Sequence, residues 1–135
     1  MADILKVTII TPERKLVDGL PVTAVTLPTA EGEIEVLPGH AALMGRLDPG
    51  YFRYTTSTGK EEVGFISTGF FEVHGETLKV LAENLELKDE INVSRAKQAQ
   101  LKAEAALSAA DLDPAHFNKY QLKLQRAIIR QHIGS

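Results

Sequence analysis

The sequence changes its hydrophobic periodicity once, close to residue 90, and this change constrains the fold more than any other feature. Before that point, short segments alternate apolar and polar residues and are separated by turn-forming residues. Such alternation places every second side chain on the same face, as in a half-buried β-strand. After that point the sequence is rich in alanine and other helix-forming residues. The chain is therefore predicted to fold as a strand-rich N-terminal part followed by a short helical part.

Several segments of the N-terminal part have the composition and alternation of strands. They are Leu5–Ile9, Val22–Leu27, Glu33–Leu37, Tyr51–Thr55, Glu62–Ile66, Phe70–His74 and Thr77–Ala82. The turn signals between them are Asp18-Gly19, Pro38-Gly39, Asp48-Pro49-Gly50, Thr58-Gly59-Lys60 and His74-Gly75-Glu76. Many short strands at this spacing, with no helical segment among them, favour an antiparallel sandwich or barrel.

The first predicted helix covers Val93–Ala110, and either Asn92 or Ser94 is suited to cap its N-terminus. The helix ends at a break that precedes Asp113 and Pro114. Asp113 is a favourable N-cap, and a proline at the first helical position loses no hydrogen bond. A second helix is therefore expected to start directly after the break.

The second helix is predicted to cover Ala115–His132, and the short loop makes it antiparallel to the first. Heptad spacing predicts a seam of Ala96, Ala99, Ala103, Ala106 and Ala110 against Phe117, Tyr120, Leu124 and Ala127. A two-helix hairpin buries little area alone, so it should pack on a neighbour and be able to leave it. We divide the chain into a sandwich domain, residues 1–86, and a hairpin domain, residues 87–135.

Charge divides the chain at the same place. Residues 1–92 carry 8 basic and 15 acidic side chains, and residues 93–135 carry 7 basic and 3 acidic ones. The two parts either have different partners or attract each other. The acidic sandwich disfavours nucleic acid as a partner, and the absence of cysteine excludes disulfides and thiolate metal sites. No segment has the ~18 apolar residues of a membrane span, and Met1–Ile4 lacks the basic start of a secretory signal.

Catalytic and metal-binding motifs are not recognisable. The histidines are scattered, no Gly-x-Ser-x-Gly elbow is present, and no histidine pair has the i, i+4 spacing of a helical metal site. The histidines are His40, His74, His116 and His132. We therefore expect a protein without enzymatic activity, resident metal or required cofactor.

One strand carries an acidic edge. Glu31, Glu33 and Glu35 share one strand face, while Ile34 and Val36 occupy the other. The strand ends at a Pro-Gly turn followed by a histidine. A single strand face cannot surround a cation with six oxygens, so any cation would bind weakly. Two interpretations remain open: a solvated outer face, or a docking edge for a partner.

Three arginines of the helical part form a second candidate site. Arg126 and Arg130 are four residues apart and share a helix face. In an antiparallel hairpin, Arg95 should lie beside the end of the second helix. Three converging guanidinium groups could bind phosphates or carboxylates. The alternative is a solvated basic face.

Taken together, the residues resemble the epsilon subunit of the F-type ATP synthase over essentially the whole chain. The resemblance rests on the segments Glu31–His40, Leu47–Gly50, Ser67–Val73, Val80–Glu83 and Ile91–Ala96. It implies a ten-stranded antiparallel β-sandwich followed by an antiparallel two-helix hairpin. It also implies a non-catalytic rotor subunit of the central stalk in a proton-translocating synthase.

The partners implied by the resemblance are the gamma shaft, the c-ring and, when the hairpin is extended, the catalytic alpha and beta subunits. The extended hairpin is implied to inhibit ATP hydrolysis. Membrane association would come only through the complex, at the cytoplasmic face of a bacterial plasma membrane or the stromal side of a thylakoid. The implied interface with the c-ring and shaft comprises Glu31, Gly32, Glu33, Pro38, Gly39 and His40.

Some members of this family bind ATP on the folded hairpin, as a regulatory ligand. The matching positions are Glu86, Ile91, Asn92, Arg95, Ala96, Arg126 and Arg130. Asn92 stands where the ATP-binding pattern has aspartate, which removes a charged acceptor and predicts weaker binding. Two rival interpretations are a stand-alone nucleotide-sensing module and a small adaptor that dimerises through its helices.

Overall fold

A computed structural model describes residues 4–108 and 113–134 as a β-sheet domain followed by two helices. The strands are β1 (Leu5–Ile10), β2 (Lys15–Thr29), β3 (Gly32–Val36), β4 (Leu43–Leu47), β5 (Gly50–Thr56), β6 (Glu61–Ile66), β7 (Gly69–His74), β8 (Thr77–Ala82) and β9 (Leu85–Leu87). A 3₁₀ turn at Lys88–Glu90 leads to helices α1 (Val93–Leu107) and α2 (Pro114–Gly134). The predicted order, a β-sandwich followed by a two-helix hairpin, is confirmed.

The strands form a two-layered sandwich, and the long strand β2 belongs to both layers. The start of β2 pairs with β1, and the rest of the strand pairs with β3 on one edge and β5 on the other. The strand order along the sheet is β1-β8-β7-β4-β2-β5-β6-β9. The described residues therefore contain nine strands where ten were expected, and β2 accounts for the difference because it spans both layers.

Two local predictions about the sheet were wrong. One pair, β1 with β8, is parallel rather than antiparallel, with Val7 opposite Leu78. Asp18-Gly19 does not connect two strands but lies inside β2, where the register with β1 shifts between Val7 and Ile9. Gly19 adopts a φ of 69° and donates its N–H to Thr8 Oγ1 at 3.0 Å. The pair forms a β-bulge, and the glycine supplies its left-handed conformation.

The core of the sandwich comes from the alternating residues of the strands. Phe52, Ile66, Leu78 and Val80 are fully buried in it. Strand β8 alternates exposed and buried residues along its whole length. Burial of this apolar surface supplies the main driving force for folding of the sandwich.

The hairpin forms as predicted, with some differences along its seam. Asn92 caps α1, since its Oδ1 accepts the Arg95 N–H at 2.9 Å. Ala103 and Ala127 are buried as the heptad spacing predicted, whereas Ala99 and Phe117 are exposed. The buried part of the predicted helix–helix seam is therefore smaller than expected and is formed by alanines. The expected end of the first helix at Ala110, and the first part of the break, lie outside the described residues.

Candidate functional site

The hairpin meets the sandwich through an ion pair between α2 and β9. Arg130 donates from Nε to Glu86 Oε1 at 2.7 Å, and its guanidinium carbon lies 4.4 Å from the centre of the Phe65 ring. The Arg130 and Glu86 side chains are only 25% and 32% exposed. A charge-assisted hydrogen bond and a cation–π contact therefore act on the same guanidinium at a partly buried position.

A second arginine pair fixes the segment that connects sandwich and hairpin. Arg14, in the β1–β2 loop, donates from Nη1 and Nη2 to the two carboxylate oxygens of Glu90 at 2.9 and 2.7 Å. Glu90 also accepts the Leu87 N–H at 2.9 Å. The hydrogen bond from Arg14, followed by that from the Leu87 amide, holds the pKa of Glu90 below its ordinary value. The connection to the helices is thereby held on the sandwich.

A cavity of about 650 Å³, which we call the junction cavity, opens between this segment, the sandwich and the start of α1. Several of the positions predicted for ATP line it, namely Glu86, Asn92, Arg95, Ala96 and Arg130. The charged side chains around it are balanced: Glu13, Glu86 and Glu90 against Arg14, Arg95 and Arg130. Arg95 and Arg130 thus converge as predicted, but carboxylates converge with them.

The remaining two predicted positions lie elsewhere. Ile91 lies beside the C-terminal end of α2, where a β-carbon on Gly134 would lie 3.0 Å from its Cγ2 and 2.8 Å from Val93 Cγ2. Arg126 lies in a neighbouring groove, and its Nη2 is 3.8 Å from Glu83 Oε2. Its Nε is buried and has no hydrogen-bond partner among the described residues. Glu83, Arg14 and Glu90 were missed from the sequence, because only folding brings them to these positions.

The acidic edge occupies the β2–β3 hairpin and the turn after β3. Glu33 and Glu35 are exposed on β3 while Val36 is buried, as predicted, but Glu31 lies in the preceding turn rather than on the strand. None of these three carboxylates has an ion-pair partner within the described part of the chain. The edge is therefore a negatively charged surface open to solvent.

The turn that follows β3 fixes the end of this edge. Gly39 has a φ of 82°, and the His40 N–H donates to the Leu37 carbonyl at 3.1 Å. The left-handed glycine at the third position of this turn is typical of type II. His40 is exposed, and its Nδ1 hydrogen-bonds with the Ala41 carbonyl at 2.8 Å. Gly32, Pro38, Gly39 and His40 thus lie at the ends of β3, beside the exposed carboxylates.

An apolar patch that the sequence analysis did not identify lies on the outer face of the sheet that contains β4, β7 and β8. Met44, Phe70 and Leu81 are 69%, 60% and 46% exposed, and Phe70 and Leu81 are directly opposite each other in the β7–β8 register. Arg46 lies opposite Phe70 on β4. An exposed cluster of large apolar side chains marks an interaction surface more often than a solvated face. Its signal in the sequence was the break in polar alternation at the outward positions 44, 70 and 81.

None of the helices in the described ranges has the length and the apolar character needed to cross a bilayer. The same residues contain no group of three or more acidic or histidine side chains placed to hold a metal ion.

Comparison with known proteins gives matches along almost the whole chain. The family described as "ATP synthase, Delta/Epsilon chain, beta-sandwich domain" matches residues 4–88, and the one described as "ATP synthase, Delta/Epsilon chain, long alpha-helix domain" matches residues 89–133. The ATP synthase epsilon chain of a Geobacter species is 37% identical over 134 residues, which cover 99% of this chain and 96% of the relative. That of Trichlorobacter lovleyi is 38% identical, with the same coverage.

Among solved structures, one chain of the Euglena gracilis mitochondrial ATP synthase aligns with a TM-score of 0.88. The structure is of an assembly that includes the c-ring. The alignment covers 98% of this chain and 82% of that chain, at 23% identity. This likeness shows that the two chains share a fold.

Proposed function

The chain belongs to the ATP synthase delta/epsilon chain family, and from this premise we propose that it is a non-catalytic rotor subunit that joins the gamma shaft to the c-ring. Its hairpin would act as a mobile regulator of ATP hydrolysis. The observation that carries the proposal is the division of the molecule into a sandwich with its own core and a hairpin held to it by the ion pairs of Arg126 and Arg130 and by the packing of Arg130 on the Phe65 ring.

The apolar patch is the surface proposed for the gamma shaft. Phe70, Leu81 and Met44 give it the exposed apolar side chains that a permanent interface buries. Arg46 and Glu83 lie at the sides of the groove that passes Phe70 and Leu81, and provide charges at its rim. Replacing Phe70 by glutamate would place a charge at the centre of this interface and is expected to abolish copurification with gamma. Ser57→Glu, which introduces the same charge on the exposed β5–β6 turn, is the matched control and should leave gamma binding unchanged.

The acidic edge is the surface proposed for the c-ring. Within the described residues its carboxylates form no ion pair, so they remain available for basic groups of the ring's polar loops. Exposed charges at an interface contribute orientation and association rate more than affinity. Reversing the charge at Glu31 and Glu33 should therefore reduce coupling of ATP hydrolysis to proton transport, while gamma binding and the stability of the sandwich persist.

Regulation by the hairpin is supported by the way it is attached. Its main contacts with the sandwich come from α2, which lies against β5 and β6, whereas α1 packs on α2. The buried helix residues within the described ranges are Ala96, Ala103, Ala127 and Ile133. Release of the hairpin uncovers the Phe65 ring, which is fully buried and lies under the Arg130 guanidinium. It also exchanges ion pairs for water or for acidic groups of another protein.

The proposal is tested by reconstituting the catalytic alpha/beta hexamer and gamma with the full chain, or with a chain that ends at Glu90. The full chain should bind gamma and lower the ATPase rate, and the shortened chain should bind gamma without lowering the rate. Failure of both chains to bind would refute the placement on the rotor. Binding of both with equal ATPase rates would refute the regulatory role alone.

A second candidate function is nucleotide sensing, because several predicted ATP positions line the junction cavity. ATP would have to enter beside Glu86 and Glu90 and compete with them for Arg130 and Arg14. Isothermal titration of the full chain with ATP tests this candidate. An affinity weaker than millimolar would remove it and leave the rotor proposal intact.

A further inference from the structure

The segment that joins the sandwich to the hairpin has two parts that are held differently. The 3₁₀ turn Lys88–Glu90 lies against β6 and β9 of the sandwich and also meets α2. Ile91 and Asn92 follow the turn in extended conformations, with φ and ψ of −77° and 124° for Ile91 and of −90° and 100° for Asn92. These two residues lie between the turn and α1, so any rotation of the helices relative to the turn has to pass through them.

Arg14 fixes the turn from outside the connecting segment. Its Nη1 and Nη2 donate to the two carboxylate oxygens of Glu90 at 2.9 and 2.7 Å, and Nη2 also donates to the Leu85 carbonyl at 3.1 Å. Glu90 accepts the Leu87 N–H as well, at 2.9 Å. One guanidinium therefore connects the β1–β2 loop, the start of β9 and the end of the turn. We call these contacts of Arg14 and Glu90 the Arg14 clamp.

The geometry of the clamp distinguishes it from an ordinary surface ion pair. The Arg14 and Glu90 side chains are 40% and 39% exposed, and exposed pairs contribute little to stability unless their geometry is bidentate and well fixed. Here the pair is bidentate, and the backbone of Arg14 is itself fixed by the buried Thr11. The Thr11 N–H donates to the Arg14 carbonyl at 2.8 Å, and Thr11 Oγ1 accepts the Arg14 N–H at 3.2 Å. The guanidinium is thus held in place before Glu90 binds it.

The hydrogen bonds on the two sides of the Ile91–Asn92 peptide bond belong to different bodies. The Ile91 N–H donates to the Lys88 carbonyl at 3.2 Å and belongs to the turn. Asn92 belongs to α1, because its Oδ1 accepts the Arg95 N–H at 2.9 Å and its carbonyl accepts the Ala96 N–H at 3.0 Å. The φ and ψ of Ile91 and the φ of Asn92 are left between these anchored groups. A few dihedral angles of this kind are sufficient for a hinge.

We propose that Ile91–Asn92 is the pivot of the hairpin, and that the Arg14 clamp keeps the 3₁₀ turn on the sandwich when the hairpin is released. The inference rests on the proposed release of the hairpin. All groups of the clamp precede Ile91 in the chain, so the helices can leave without breaking it. The clamp then gives α1 the same starting point in both states, and the released hairpin can return to the same contact between Arg130 and Glu86.

The test measures distances between spin labels by double electron–electron resonance in the full chain. The chain has no cysteine, so labels can be placed on cysteines introduced at exposed positions. One pair joins Ser57 of the sandwich to Asp89 of the turn, and the other joins Ser57 to Lys97 of α1. Glu86→Gln, which removes a docking contact, should raise the released population of the Ser57–Lys97 pair about fivefold. The Ser57–Asp89 pair should keep one unchanged distance.

Two variants then examine the clamp itself, and circular dichroism verifies that each is folded. Arg14→Gln should abolish the single Ser57–Asp89 distance, because the turn is no longer held. Lys15→Gln is the matched control, since it removes a neighbouring charge whose ion pair is with Asp18, and it should preserve that distance.

The possible failures are distinguishable. A second Ser57–Asp89 distance that grows with Glu86→Gln would show that the turn leaves with the helices, which overturns the pivot and leaves the rotor proposal intact. Equal Ser57–Asp89 distributions in Arg14→Gln and Lys15→Gln would overturn the role of the clamp. A Ser57–Lys97 distance that stays single in every variant would refute the release of the hairpin, and with it both the proposed regulation and the pivot.

Discussion

Replacement of Glu86 by glutamine should loosen the hairpin without disturbing the sandwich. Glutamine has nearly the same shape, so the change removes the charge that faces Arg130 and leaves the packing in place. The lost contact is a 2.7 Å charge-assisted hydrogen bond between side chains that are 25% and 32% exposed. Such bonds contribute ~1.5–3 kcal/mol when buried, whereas exposed ion pairs contribute ~0.2–1 kcal/mol.

The partial burial of the pair places its contribution near ~1 kcal/mol, which lowers the ratio of docked to released hairpin about fivefold. Glu83→Gln is the matched control, because the Glu83–Arg126 distance is 3.8 Å and Glu83 is 66% exposed. Its expected effect is ~0.3 kcal/mol, or less than twofold.

The chain has no cysteine, so a dye pair can be attached at two introduced cysteines. Ser57 and Gln121 are exposed positions on the sandwich and on α2. Energy transfer between the dyes reports docking during a urea titration. The sandwich is followed by tyrosine fluorescence in a Tyr120→Phe background, which leaves Tyr51 and Tyr54 of β5 as the tyrosines. The role assigned to the Glu86–Arg130 pair is refuted if Glu86→Gln shifts hairpin release no more than Glu83→Gln, or if it lowers the stability of the sandwich by the same amount.

Two further predictions concern the attachment of the hairpin and the close packing of the sandwich. Because Arg14 lowers the pKa of Glu90, this pair stabilises the fold above the ordinary glutamate pKa of 4.5, and its contribution is lost as the pH falls through the lower folded value. Urea unfolding should therefore find Glu90→Gln less stable at neutral pH and the difference shrinking in acid; a difference that grows in acid would contradict the assignment. A β-carbon on Gly69 would overlap the Leu81 carbonyl oxygen and the Ala82 Cα, so Gly69→Ala should cost ~3 kcal/mol or more. Ser57→Ala on the exposed β5–β6 turn is its control, and equal thermal unfolding midpoints for the two variants would show that the β7–β8 approach is not tight.

The strands that could be predicted from the sequence are those in which buried and exposed residues alternate regularly. Strands β7 and β8 alternate without interruption, and both were predicted to within one residue. Strand β4 was missed because its sequence, Leu-Met-Gly-Arg-Leu, has no β-branched residue and contains Gly45. That glycine is needed because a β-carbon there would lie 2.8 Å from the Phe71 ring, a requirement that exists only in the folded sheet.

The candidate site was predictable only in part, for a related reason. Helix periodicity predicted that Arg126 and Arg130 share one face, and the antiparallel arrangement of the helices predicted that Arg95 lies near Arg130. The carboxylate partner of Arg130 could not be obtained from local spacing, since Arg130 and Glu86 are 44 residues apart. Asn92 illustrates the same limit: its predicted capping role is confirmed, but the capping bond also commits its side-chain oxygen to the Arg95 amide.

The central claim is that the hairpin leaves the sandwich to slow ATP hydrolysis, and the ATPase rate of the reconstituted hexamer and gamma tests it most directly. We expect a lower rate with the full chain than with a chain ending at Glu90, and a still lower rate with Glu86→Gln, which releases the hairpin more readily. Equal rates for the full and shortened chains, both bound to gamma, would contradict it. So would a higher rate with Glu86→Gln than with the unmodified chain.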